Sequence, residues 1–166
     1  MTFRNHTISV LFADDDHDDC RMIGDAFQEC VPDCVLAYVH DGFELLHYLR
    51  KQAGYVTFTD APRPDLILLD LKLPRMDGFE ALAEVKSDPN LRSIPVVVLT
   101  NSSTEQDIMR AYDLGAAGFI IKPETFAGML ELVRAINHYW FEVVELTNVI
   151  HGKGVMDNTL TVYTLE

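Results

Sequence analysis

Apolar residues in this chain fall into short, nearly unbroken runs, and between the runs they recur every third or fourth position. The runs cover residues 8–13 (Ile-Ser-Val-Leu-Phe-Ala), 35–39, 66–69 (Leu-Ile-Leu-Leu), 94–100 and 117–121. Short runs rich in Val, Ile and Leu and bounded by turn residues predict buried strands. The spacing between them is helical. It is carried by Met22, Ile23, Ala26, Phe27 and Cys30, by Leu45, Leu46, Tyr48 and Leu49, and by Phe79, Leu82, Ala83 and Val85. Ile108, Met109, Tyr112 and Leu114 mark a fourth helix, and Phe126, Met129, Leu130, Val133, Ile136, Trp140 and Val143 a fifth. Each stripe is expected to face a core. Strands and helices that alternate throughout predict an α/β fold with a parallel sheet.

Turn residues divide these elements. Pro32-Asp33 ends the first helix, His40-Asp41-Gly42 opens the second, and Asp77 and Asp88-Pro89 bracket the third. Ser103 and Gln106 have capping-box spacing and are expected to open the fourth helix. Gly115 lets that helix stop, and Thr125 begins the last. Residues 51–64 form a connection longer than the about 2–6 residues usual between a helix and the next strand.

The chemistry gathers where the apolar runs end. Asp70 closes the run 66–69, and the carboxyl end of a buried parallel strand is where open α/β sheets hold ligands. The first run leads straight into Asp14-Asp15-Asp16-His17-Asp18-Asp19, whose crowded carboxylates need compensation. Asp16, Asp18 and Asp19 can cap or flank the positive end of the first helix. A hard divalent cation could neutralise Asp14 and Asp15 together with Asp70. The run 94–100 ends in the hydroxyl of Thr100, and the last run ends at the ammonium of Lys122.

In this order the residues resemble the response regulator receiver domain, the phosphoacceptor module of two-component signalling. The resemblance covers residues 7–146. It rests on Asp14 and Asp15, on Asp70 with Leu73-Pro74-Arg75-Met76-Asp77-Gly78 behind it, on Thr100, and on Lys122-Pro123. It implies a flavodoxin-like (βα)5 three-layer sandwich, with a five-stranded parallel sheet in the family's order 2-1-3-4-5. Asp70 would accept a phosphoryl group from a sensor histidine kinase or a phosphotransfer protein. Mg2+ would be held directly by Asp15, through water by Asp14, and by Asp70 and the backbone carbonyl of Lys72. Lys122 would pair with Asp70 when it is free and with a phosphoryl oxygen afterwards. Thr100 and Phe119 occupy the switch positions, and Lys72 and Ser102 the positions that tune phosphoryl lifetime. A cis peptide is usual at Lys122-Pro123. The resemblance implies a timed switch and not a turnover enzyme.

Residues 60–74 and 137–146 are further similar to stand-alone, phytochrome-associated regulators. That similarity implies a phytochrome-type kinase and a homodimer through the face of the fourth helix, fifth strand and fifth helix.

Composition narrows the alternatives. A length of 166 residues, 48% of them hydrophobic, suits a receiver over 1–146 followed by a tail over 147–166 that is too short for a DNA-binding unit. The alternation in residues 159–165 would suit an edge strand, a partner-bound segment or a frayed end. A net charge of −13 argues against nucleic acid as partner. The chain has neither a signal-peptide pattern nor a membrane-spanning run, so it is expected in the cytoplasm, with Cys20, Cys30 and Cys34 as free thiols. An Asp-nucleophile phosphatase wants a second Asp two residues after the nucleophile, where this chain has Lys72. A pseudo-receiver adaptor expects a gap among the acids or at Lys122, and none is present.

Overall fold

Alternation along the strands decides which side of the sheet each helix covers. The structure, a computed structural model, describes residues 7–51 and 62–144. The expectations for most of the connection 51–64 and for the tail 147–166 therefore lie outside the described residues. The strands are β1 (Ser9–Ala13), β2 (Val35–Val39), β3 (Leu66–Leu69), β4 (Val96–Thr100) and β5 (Gly118–Ile121). The helices are α1 (His17–Cys30), α2 (Gly42–Arg50), α3 (Gly78–Ser87), α4 (Glu105–Asp113) and α5 (Phe126–Ile136). Successive strand side chains point to opposite faces. Val10, Phe12, Leu66, Leu68, Val97 and Leu99 thus pack against Ile23 and Phe27 of α1 and Met129 and Val133 of α5. Leu11, Ile67, Leu69, Val96 and Val98 face α2 and α3 through Leu45, Phe79, Leu82 and Val85. The result is the three-layer arrangement expected.

All strand pairs are parallel, in the order β2-β1-β3-β4-β5. The order reverses between β1 and β3, which opens a crevice at their carboxyl ends. Register brings the chemistry there. Ala13 pairs with Leu69, so Asp14 and Asp70 leave the sheet side by side. Their backbone N–H groups donate to Val39 O at 3.0 Å and Ala13 O at 2.9 Å. Thr100 pairs with Ile121, and the Lys122 N–H donates to Thr100 O at 2.9 Å.

Four expectations change. The cap of α4 is Thr104, one residue later than predicted; its hydroxyl accepts from the Asp107 N–H at 3.2 Å. The shift puts Glu105 and Asp107 in the first turn, against the positive end of the helix dipole. The last helix is α-helical only to Ile136, and Asn137–Val143 is wound as a π-helix. The wider turn rotates the apolar stripe, so Phe141 is buried while Trp140 is half-buried and Val143 exposed. Asn137 and His138 both hydrogen-bond Glu142 across that turn, at 3.1 and 3.0 Å. The third change concerns the α4 stripe: none of Ile108, Met109, Tyr112 and Leu114 is fully buried, and Ala111 is the one buried residue of the helix. Met109 is 60% and Tyr112 49% exposed, beside Ile121 of the edge strand β5 at 46%. Lastly, the described backbone has no cis peptide, so Lys122-Pro123 is trans.

Gly78 is required by a close approach. A Cβ there would lie 2.3 Å from Asp70 O and 2.6 Å from Leu71 Cα, both backbone atoms that cannot swing aside. The Gly78 N–H also donates to Leu71 O at 2.9 Å, closing the loop after Asp70 onto α3. Gly78→Ala is expected to lower stability by about 2–3 kcal/mol through overpacking, read from the midpoint of urea unfolding. A loss within error would mean that this loop yields freely.

Candidate functional site

Four of the five strand ends, those of β1, β3, β4 and β5, bring polar groups to the crevice. Asp14 is wholly buried; its Oδ1 accepts from the Asp16 N–H at 2.9 Å. Its Oδ2 lies 2.6 Å from Lys122 Nζ, but at an angle that makes no hydrogen bond. Burial pushes the Asp14 carboxyl up to about 6, against the pull of Lys122 and of the Asp16 N–H. Asp70 is also buried, with Oδ2 accepting from Lys122 Nζ at 2.9 Å and Oδ1 from the Lys72 N–H at 3.3 Å. Asp15 projects outward from the same edge.

Lys122 is buried at the centre. Burial alone would lower its pKa, but the carboxylates of Asp14, Asp19 and Asp70 packed around the ammonium outweigh it and the value ends raised. The ammonium therefore stays charged. Its third partner, Asp19 at 2.7 Å, goes beyond the sequence reading, in which Asp19 only flanked a helix. A signal was present. Ile23 and Phe27 mark the inner face of α1, and counting back four residues from Ile23 reaches Asp19. Asp16 caps that helix as expected, its side chain accepting from the N–H groups of Asp18 and Asp19.

One ammonium shared by Asp14, Asp19 and Asp70 leaves the pocket strongly negative. Carboxylate oxygens of Asp14, Asp15 and Asp70 lie within 4.8 Å of one another. An all-oxygen, acidic set with one oxygen buried and lacking a hydrogen bond fits a hard divalent cation of the Mg2+ type.

The remaining predicted residues lie around this cluster. Thr100 is wholly buried, and its hydroxyl accepts from the Ser102 N–H at 3.4 Å. Ser102 hydrogen-bonds the Asp107 carboxylate on α4. Phe119 is half-buried against the core beneath α2, α3 and α4. The Lys72 side chain is exposed. The cysteines are free, and burial pushes the Cys20 and Cys34 thiols up to about 12, so both stay protonated near neutral pH. No described helix is long and apolar enough to cross a membrane.

Residues 10–134 match the family model of the response regulator receiver domain. Response regulator Rcp1 of Synechocystis sp. is 36% identical over 137 residues, 82% of this chain and 91% of that protein. The fold matches the crystal structure of the phosphorylated cyanobacterial phytochrome response regulator RcpA with a TM-score of 0.79 and 38% identity, over 85% of this chain and 99% of that one. It matches the Mn2+-bound form of Rcp1 with a TM-score of 0.75 and 35% identity, over 84% of this chain and 98% of that one. Agreement of this extent, on a sheet whose strand ends carry the expected groups, places the chain in the response regulator receiver family: it is a two-component response regulator, a signalling module served by a histidine kinase.

Proposed function

We propose that Asp70 is the phosphoryl acceptor of this regulator, that Asp14, Asp15, Asp70 and the Lys72 backbone carbonyl hold Mg2+, and that Thr100 and Phe119 report the modification. The observation that carries the reading is the position of Lys122 Nζ, 2.6 Å from Asp14 and 2.9 Å from Asp70 in a buried acidic crevice. When bound, the metal ion supplies positive charge to the transferring phosphoryl oxygens.

The chain's own residues do the rest. An Asp70 oxygen forms a bond to phosphorus as the bond to the phosphohistidine nitrogen breaks, and the departing imidazole takes up a proton. Lys122 already hydrogen-bonds Asp70 Oδ2, so it is placed to follow the new charge onto a phosphoryl oxygen. The Thr100 hydroxyl accepts from Ser102 and so keeps its own proton to donate to the phosphoryl group. Phe119, half-buried on β5 and paired with Val98 two residues before Thr100, can move into the space that Thr100 leaves. Lys72 and Ser102, two residues past Asp70 and Thr100, tune the lifetime of an acyl phosphate that hydrolyses without a turnover cycle.

The similarity to the phytochrome response regulator RcpA supports a phytochrome-type kinase as partner. The exposed Met109, Tyr112 and Ile121 supply an apolar face on α4 and β5 for a homodimer. The net charge of −13 speaks against nucleic acid as target.

Acetyl phosphate with Mg2+ is expected to add one phosphoryl mass to the intact chain, and neither a chelator control nor Asp70→Asn should gain it. An unchanged mass under every condition would falsify the acceptor assignment and favour a pseudo-receiver adaptor.

A further inference from the structure

A hydrogen-bonded path leads from Thr100 to a helix that the core barely holds. The Ser102 N–H donates to the Thr100 hydroxyl at 3.4 Å, and the Ser102 hydroxyl donates to Oδ2 of Asp107. That second bond is charge-assisted, the stronger kind. Asp107 belongs to the first turn of α4, where its own N–H bonds the Thr104 cap at 3.2 Å. Ser102 therefore touches the switch hydroxyl with its backbone and the helix with its side chain. Neither the phosphoacceptor chemistry nor the fold requires this second tie.

α4 is suited to being moved. It buries Ala111 alone among its residues and meets α3 through Arg110, whose guanidinium lies 4.1 Å from the centre of the Phe79 ring. An element with so few buried apolar groups opens and shifts at low free energy. One charge-assisted bond at its first turn can then bias its position.

We propose that Asp107 is a positioning residue that couples α4 to Thr100 through the Ser102 hydroxyl, so that movement of Thr100 toward a phosphoryl group on Asp70 is passed to the helix. The proposal rests on Asp70 being the acceptor. Coupling of this kind is reciprocal: a partner that holds α4 also biases Thr100.

The test uses the full chain with acetyl phosphate and Mg2+, compared at equal phosphoryl occupancy measured by intact mass. Amide hydrogen exchange of residues 105–113 is the readout. Phosphorylation is expected to change that exchange in the wild type by about fivefold or more, the low end for coupling between two sites. The response is expected to disappear in Ser102→Ala and in Asp107→Ala, with no further loss in the double variant. Asp107→Asn keeps an acceptor for the Ser102 hydroxyl and should retain it. Ser102→Ala leaves every residue of α4 in place, so its result does not depend on how Asp107→Ala affects the helix. A full response in Ser102→Ala, or none in phosphorylated wild type, overturns the coupling while leaving Asp70 as acceptor. Failure of the wild type to gain phosphoryl mass overturns the acceptor reading itself.

Discussion

In chelator at about pH 8, Lys122→Met is expected to lower folding stability by about 3 kcal/mol, toward the low end of the about 3–5 kcal/mol for removing one partner of a buried ion pair. Methionine keeps most of the apolar stem, so the change is chiefly the lost ammonium. That ammonium lies 2.6 Å from Asp14, 2.7 Å from Asp19 and 2.9 Å from Asp70. Without it, buried carboxylates face one another unpaired. The low end applies because the Asp19 side chain is 25% exposed and can turn to water.

The same variant should depend on pH in a set direction. Burial already raises the Asp14 carboxyl from 3.8 to about 6 with Lys122 present, and losing the ammonium removes one of the groups that pull it back. A carboxyl raised in the folded state contributes stability that is complete below its unfolded value and is lost as pH rises through the folded one. The deficit of Lys122→Met should therefore be small near pH 4 and grow through about pH 6 and above. Mg2+ replaces the missing positive charge, so it should restore more stability to the variant than it adds to the wild type. Urea unfolding at two pH values, with and without Mg2+, reads both effects. A deficit independent of pH would mean that lost packing, and not charge, is the cause.

The residues of this cluster differ in how legible they are. Asp70, Asp14, Thr100 and Lys122 each end an apolar run, and parallel strands in register must deliver their ends to one edge. Strand ends are plainer than strand starts: residues 35–39 and 66–69 match β2 and β3 residue for residue, while the runs 8–13, 94–100 and 117–121 begin one or two residues before β1, β4 and β5. Helix phase was harder to read. Asp19 faces the crevice because of where α1 begins, and Asp16 as its cap sets that phase. Moving the α4 cap by one residue, to Thr104, places Asp107 in the first turn. In the last helix a π turn puts Phe141, and not Trp140, into the core. A 3.6-residue period cannot foresee an inserted residue. Apolar spacing also could not separate a core stripe from an exposed one, since Met109 and Tyr112 follow the pattern yet remain uncovered.

Asp14→Asn should move stability the other way. Asparagine keeps the shape and can still accept the Asp16 N–H, now at 2.9 Å, through Oδ1. What it removes is a buried charge. A carboxyl raised from 3.8 to about 6 is harder to ionise in the fold than in the unfolded chain by about 2–3 kcal/mol. The asparagine Nδ2 then meets Lys122 Nζ, donor against donor, where Oδ2 stood 2.6 Å away, while Lys122 keeps Asp19 at 2.7 Å and Asp70 at 2.9 Å. That contact offsets part of the relief, so the net expectation above pH 6 is a gain of about 1 kcal/mol, vanishing below about pH 4, where the wild-type carboxyl is also neutral. If Asp14 holds Mg2+ through water as proposed, affinity for the ion should fall by about 10–100-fold in the same variant. Thermal or urea unfolding and calorimetric Mg2+ titration separate the two effects. Lower stability in Asp14→Asn would show that the ion pair with Lys122 outweighs the cost of burying the charge. Higher stability with weaker binding would show that this carboxylate serves the metal at the expense of the fold, as sites built for charge commonly do.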